Sequence, residues 1–99
     1  MFPVSFYVYV CVSLKDNRLY TGSTNNLEKR LAEHANGLVT STKPRLPLKL
    51  IYYETYSNET DARMREKYLK GGGRARRNFR LQLSETLKDF DIAKERNKI

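Results

Sequence analysis

The chain predicts an α+β domain with the element order β-β-α-β-α-α, and three observations carry that prediction. An early segment alternates apolar and aromatic residues with period two, later apolar positions recur at helical spacing, and polar turn clusters separate the segments. Ser5 to Ser13 reads SFYVYVCVS. Phe6, Val8, Val10 and Val12 alternate with Tyr7, Tyr9 and Cys11, so this strand has two unlike faces, and the valine face is expected on the core. Lys15-Asp16-Asn17-Arg18 is turn chemistry, and Leu19 to Ser23 is short and β-prone, which makes the two runs a hairpin. A two-residue loop at Asp16-Asn17 pairs Ser13 with Tyr20, whereas a four-residue loop pairs Cys11 with Tyr20. Either register puts Tyr20 on the Tyr7/Tyr9 face, because directly opposed residues of antiparallel strands share a side.

Asn25 followed by Glu28 has the form of a capping box, Leu27, Leu31 and Ala35 repeat at helical spacing, and Asn36-Gly37 supplies a stop. The first helix is therefore expected over about 26 to 36. Leu38 to Pro47 is a Ser/Thr/Pro/Lys-rich connection, and the dense Ile and Tyr content of Leu48 to Tyr56 predicts a third strand. Asn58 with Asp61 starts a second helix that runs through Leu69 and stops at Gly71-Gly72-Gly73. Phe79, Leu83, Leu87 and Phe90 fit a third helix that frays within Lys94 to Ile99.

Ninety-nine residues suit one compact core, so residues 1–99 are expected to form a single domain. Hydrophobic residues at 39% can build that core, which argues against intrinsic disorder even at a mean hydropathy of -0.69. There is no apolar run of the roughly 18 to 20 residues that a membrane span requires, and Met1 to Val12 lacks a basic leader and a cleavage site. Cys11 is the single cysteine. It excludes an intramolecular disulfide and a thiolate cluster, and the expected setting is a soluble protein of the cytoplasm, with no membrane partner.

Nineteen Lys and Arg against eleven Asp and Glu leave a net charge of +8. The excess is local. Arg63, Arg65, Lys67, Lys70, Arg74, Arg76, Arg77 and Arg80 share the stretch from 63 to 80 with one acid, Glu66. Such a field suits a polyanion, whose binding gains from counterion release and carries no sequence information.

Arg30 and His34 are four apart and so lie on one helix face. At 100° per residue His34 lies about 20° from Leu27, beside the apolar stripe, and both side chains can lean over a tyrosine-bearing sheet. Arginine grips phosphate through paired donors, histidine shuttles protons and tyrosine offers a hydroxyl. On spacing alone the simpler account is a solvated edge, with Arg30 paired to a neighbouring acid and His34 bonded to a backbone carbonyl. Glu66 can hold Mg²⁺ through a carboxylate, or it can form an ordinary helix ion pair with Lys70 or Arg63. Gly71-Gly72-Gly73-Arg74 lacks the Gly-Lys-Ser/Thr ending of a P-loop. Tyr52, Tyr53 and Tyr56 can stack on bases, although packing is the default role of strand aromatics.

The ordered combination says more than its parts. Tyr7-Val8-Tyr9, ten intervening residues, Tyr20-Thr21-Gly22, then Arg30-Leu31-Ala32-Glu33-His34, then Ala62-Arg63-Met64-Arg65-Glu66 with Leu69-Lys70, resembles the GIY-YIG nuclease domain over about residues 5 to 70. FYVYV, RLYTGSTNNLEKRLAEH and REKYLK are similar to the small stand-alone members of that family. The resemblance implies a three-stranded antiparallel sheet flanked by helices and metal-dependent cleavage of a nucleic-acid phosphodiester. Carried across by position, the site residues are Tyr9, Tyr20, Arg30, His34 and Glu66. Glu66 takes one divalent cation, Mg²⁺ or Mn²⁺, Arg30 holds the phosphate, and Tyr9 or Tyr20 serves as base, with His34 as a possible relay. Tyr7 stands where the motif has a glycine, Thr21 replaces an isoleucine, and Ser23 stands where some members carry a lysine. Asn78 is the candidate for a downstream asparagine used by members of the family.

The expected activity is thus an endonuclease of low sequence selectivity, with DNA ranked above RNA as the expected substrate. Lys43, Arg45, Arg74, Arg76 and Asn78 are the expected substrate contacts. The alternatives are a nucleic-acid-binding module without turnover and, behind it, a basic protein whose helices serve a protein partner.

Overall fold

The computed structural model describes residues 5–86, without the side chains of residues 75 and 76. Two strands, β1 (Phe6–Ser13) and β2 (Leu19–Thr24), lead into helix α1 (Leu27–Ala35). A 3₁₀ turn at Lys43–Arg45 precedes β3 (Leu48–Tyr56), and α2 (Glu59–Lys70) and α3 (Gly73–Gln82) follow. The sheet has the order β2-β1-β3, with both pairings antiparallel. This is the expected α+β, three-stranded arrangement. Leu87, Phe90 and the tail 94–99 lie outside the described residues.

The hairpin takes the longer of the two loops. Cys11 pairs with Tyr20 and Ser13 N–H donates to Arg18 O, leaving Leu14 to Asn17 as the connection. Two local features select it. Asn17 adopts the left-handed backbone at φ 60, which asparagine tolerates. Ser13 Oγ accepts from Lys15 N and Asp16 N at 3.1 Å each, satisfying the turn's donors.

As the central strand, β1 is covered on both faces. Val8 and Val10 pack with Ala62 and Leu69 of α2 and Phe79 of α3, and Tyr52, Tyr56 and Leu19 close around them. A bulge opposite Val10/Cys11 leaves Ile51 as an extra residue, and it packs against this same cluster. The other face carries Tyr7, Tyr9 and Cys11 toward α1, and Tyr9 and Cys11 are as buried as the valines. Burial therefore extends beyond the valine side.

Both helix starts are capped by asparagine, one of them a residue later than expected. Asn58 Oδ1 accepts from Thr60 N and Asp61 N, as its position before Glu59 requires. For α1 the cap is Asn26, whose Oδ1 accepts from Lys29 N at 3.0 Å, and not Asn25. The Asn25/Glu28 box therefore does not form. Thr24 Oγ1 accepts from Asn26 N and holds Asn26 in the extended conformation of a cap.

Candidate active site

Tyr9 projects from β1 directly opposite Gly22 of β2. A Cβ at Gly22 would lie 2.5 Å from the Tyr9 hydroxyl oxygen and 2.7 Å from its Cζ, so the bare glycine is what lets the phenol cross β2. The hydroxyl then meets His34 Nε2 at 2.7 Å. His34 is the buried residue of α1, only 2% exposed, and its Nδ1 lies 2.8 Å from Thr42 Oγ1. Tyr20 completes a cluster of rings, its centroid 6.2 Å from that of Tyr9 and 5.2 Å from that of His34. Its hydroxyl makes no hydrogen bond to any described residue, and its side chain is partly exposed.

The electrostatics favour the neutral forms of Tyr9 and His34. Burial, reinforced by Tyr20, pushes the Tyr9 phenol well above its ordinary value, against an opposing pull from Arg30. Burial first, then the Arg30 charge, pushes the His34 imidazole below its ordinary value. Arg30 sits one turn before His34, about one-third exposed, with its Nη1 3.0 Å from Glu33 Oε1. The simple ion pair foreseen for Arg30 thus exists. His34 differs from its simple account, since its partners among the described residues are two hydroxyls and no backbone carbonyl.

Glu66 reaches the hairpin from the opposite side of the sheet. Ser23, paired with Val8 and so on the valine face, donates to Glu66 Oε1 at 2.5 Å. Lys70 Nζ lies 2.7 Å from Oε2 and also 5.9 Å from the centroid of the Tyr20 ring. The lysine thereby bridges the two faces around the edge strand β2. Burial pushes the Glu66 carboxyl up, but the hydrogen bonds of Lys70 and Ser23 outweigh it and hold the group below its ordinary value. Among the described residues no three His, Cys, Asp or Glu side chains are grouped to chelate a metal. The donor set that exists is a single ionised carboxylate, already visited by a lysine cation, with hydroxyl oxygen beside it. That set fits a hard divalent ion that keeps most of its waters.

A family model for the GIY-YIG catalytic domain matches residues 5–80. The chain belongs to the GIY-YIG family. It is 45% identical over 94 residues to a UPF0213 protein of Clostridium perfringens, covering 92% of this chain and 97% of the relative. It is 34% identical over 95 residues to the UPF0213 protein YazA of Bacillus subtilis, covering 95% and 93%. The solution NMR structure of a UPF0213 protein from Bacillus halodurans is similar, with TM-score 0.50, 28% identity, and coverage of 80% of this chain and 84% of that one. GIY-YIG domains are of nuclease type, act on nucleic acid in general and generally use divalent metal ions.

Within this GIY-YIG domain the other expected contacts are dispersed. Arg45 is committed to the hairpin: its Nε lies 2.9 Å from Asp16 Oδ2, and its Nη2 donates to Arg18 O at 3.0 Å. Its guanidinium is a clamp on the loop. Lys43 is exposed beside Gly37, and Arg74 lines a surface groove with Met64, Lys67 and Tyr68. Asn78 is exposed on α3, next to the buried Phe79, and the side chain of Arg76 is outside the described set. Of the other tyrosines, Tyr52 and Tyr56 donate to Glu54, which Arg65 grips through two nitrogens, while Tyr53 is half exposed against Tyr7. Thr42 and the bridging contact of Lys70 to Tyr20 escaped the sequence reading. Lys70 was visible there as a partner for Glu66, whereas nothing local marks Thr42. Among the described residues no helix is long and apolar enough to cross a membrane.

Proposed function

We propose that this domain is a divalent-metal-dependent endonuclease that hydrolyses DNA phosphodiesters with low sequence selectivity, in a reducing cytoplasm that suits its lone buried thiol. The observation that supports it best is the meeting of Tyr20, Arg30 and the Tyr9–His34 pair on one face with Glu66 and Lys70 at the same strand edge. In this reading Arg30 holds a non-bridging oxygen of the scissile phosphate. Tyr20, whose side chain is partly exposed, orients the attacking water and, as its phenolate, takes the water's proton to become the phenol, with Lys70 supplying positive charge beside the ring. Tyr9 is fully buried, so it acts through His34 and not on the water. Glu66 would hold one Mg²⁺ or Mn²⁺, and that ion supplies charge neutralisation at the phosphate and the leaving oxygen. Water oxygen bonds to phosphorus as the leaving oxygen departs and takes a proton from solvent, giving one new phosphate end and one hydroxyl end. Lys43 and Arg74 supply non-specific backbone contacts.

The test is cleavage of single-stranded and duplex DNA, and of RNA, with Mg²⁺ or Mn²⁺. Glu66→Ala is expected to abolish products, and Arg30→Ala to slow cleavage by about 100- to 1000-fold with binding nearly kept. Salt-sensitive binding with no products from the native chain, or cleavage indifferent to Glu66→Ala, would refute the reading.

A further inference from the structure

The Tyr9–His34 pair has a third member that belongs to none of the sequence motifs. We infer that Thr42 is a positioning residue that holds His34 as the tautomer protonated at Nδ1, leaving Nε2 bare to accept the Tyr9 proton. Thr42 is fully buried, and its Oγ1 lies 2.8 Å from His34 Nδ1 and 3.4 Å from Val39 O.

Two proton arrangements can be drawn through these atoms, and polar satisfaction separates them. In the first, Tyr9 O–H donates to Nε2, Nδ1–H donates to Thr42 Oγ1, and Thr42 O–H donates to Val39 O. Every buried donor then has an acceptor. In the second, Thr42 donates to Nδ1 and Nε2–H donates to Tyr9, so the phenol must place its own proton elsewhere. Among the described residues Nε2 is the acceptor recorded at that hydroxyl, and the other group acting on it is Arg30, which can only donate. The second arrangement strands a buried proton facing a cation. The first gives that proton an acceptor in Nε2 and leaves the phenol oxygen able to accept.

Thr42 is itself held from two directions. Its N–H and that of Lys43 both donate to Val39 O, at 3.1 and 3.0 Å, closing the turn around the hydroxyl. Downstream, Arg45 O accepts from Ser13 Oγ at 2.7 Å while the Arg45 guanidinium grips Asp16. The segment that carries Thr42 is thus fastened to the hairpin that carries Tyr9 and Tyr20, which gives the Arg45 clamp a purpose.

The chain contains one histidine, so its ring nitrogens can be observed without overlap. Long-range ¹H–¹⁵N correlation at pH 8 on ¹⁵N-histidine-labelled protein reads the tautomer directly. The native chain and Thr42→Ser are expected to show a protonated Nδ1 and a bare Nε2, and Thr42→Val, which removes the acceptor, is expected to lose that preference. A native spectrum with Nε2 protonated, or a Thr42→Val spectrum identical to the native one, would overturn the inference. Should the valine variant fail to fold, the native and serine spectra still decide. The consequence for turnover rests on the nuclease reading: Thr42→Val should lower kcat by about 10- to 100-fold at unchanged KM, with Thr42→Ser restoring it. Undiminished kcat in a valine variant whose tautomer has changed would overturn the link to turnover. Absence of cleavage by the native chain would sink the nuclease reading while the spectra still settle the tautomer.

Discussion

Gly22→Ala tests whether the ring cluster depends on the absence of one side chain. The added Cβ would sit 2.5 Å from the Tyr9 hydroxyl oxygen, 2.7 Å from Cζ and 3.0 Å from Cε1, where ordinary contact between such atoms is about 3.5 to 4.0 Å. The phenol would have to retreat by about 1 Å. It has nowhere to go, because Tyr9 is fully buried and its ring is packed against those of Tyr20 and His34. Displacing the phenol also disrupts its 2.7 Å hydrogen bond to Nε2. Overpacking costs about 1 to 3 kcal/mol and a broken buried hydrogen bond about 1 to 3 kcal/mol, so a loss of about 2 to 6 kcal/mol is expected. For a domain of this size that corresponds to a fall in Tm of roughly 8 to 48 °C. In an unobstructed strand the same substitution would be stabilising by about 0.5 to 1 kcal/mol, so the sign itself discriminates. Thermal unfolding followed by circular dichroism, with a urea titration for the midpoint, reads the effect. An unchanged or raised Tm would refute the claim that the phenol crosses β2 at this position.

Two further predictions concern pH. Hydrogen bonding from Arg45 pulls the Asp16 carboxyl down to about 2, so the stability carried by this pair is complete above the unfolded value and is lost as pH falls through about 2. Asp16→Ala should cost about 1 kcal/mol at pH 7, kept small because the carboxylate is 35% exposed, with the difference in urea midpoint from the native chain vanishing near about pH 2; a difference that persists there would refute it. At the alkaline end, burial and then Glu54 push the Tyr56 phenol up to about 12, and Tyr52 is raised by the same causes. Folded phenols then keep protons that unfolded ones release near about pH 10, so Tm should hold to about pH 9 and decline above about pH 10. Tyr56→Phe should flatten that decline, and a Tm indifferent to pH up to about 11.5 would contradict the assignment.

How much was legible depended on whether the determinant was local. The third strand reads out as Leu48 to Tyr56 with the bounds found, because its side chains leave no competing pattern. Asn58 is unambiguous as a cap, whereas Asn25 and Asn26 offer the same side chain twice, and the choice falls to a bond from Thr24 that periodicity cannot register. The shared face of Tyr9 and Tyr20 follows from period two alone, and their ring contact agrees with it. The hairpin register stays open in sequence because it is decided by the left-handed conformation of Asn17 and by Ser13 Oγ. Helical spacing places His34 beside the apolar stripe but cannot say that its ring is buried between two hydroxyls, one of them eight residues on and across a turn. Glu66 borders an apolar edge by spacing, yet the side of the sheet it occupies depends on how the chain passes from β3 to α2, which spacing does not encode.

The placement of Glu66 bears directly on how one catalytic centre can be assembled from two faces of a sheet. In a strand, residues three apart point to opposite sides. Tyr20 and Ser23 obey that rule, one turned to the rings and the other to Glu66. Were β2 internal, a neighbouring strand would wall the two sides apart. It is instead the outer strand in the order β2-β1-β3, so the two faces communicate around its margin, and Lys70 already makes that passage from Glu66 to Tyr20. On the proposed reading, a phosphodiester approaching this margin meets the phenol and the carboxylate together without entering a deep pocket. The edge that sheets usually have to protect is, on the proposed reading, where the substrate is received, and the short six-residue β2 with its lysine-crossed rim is built accordingly.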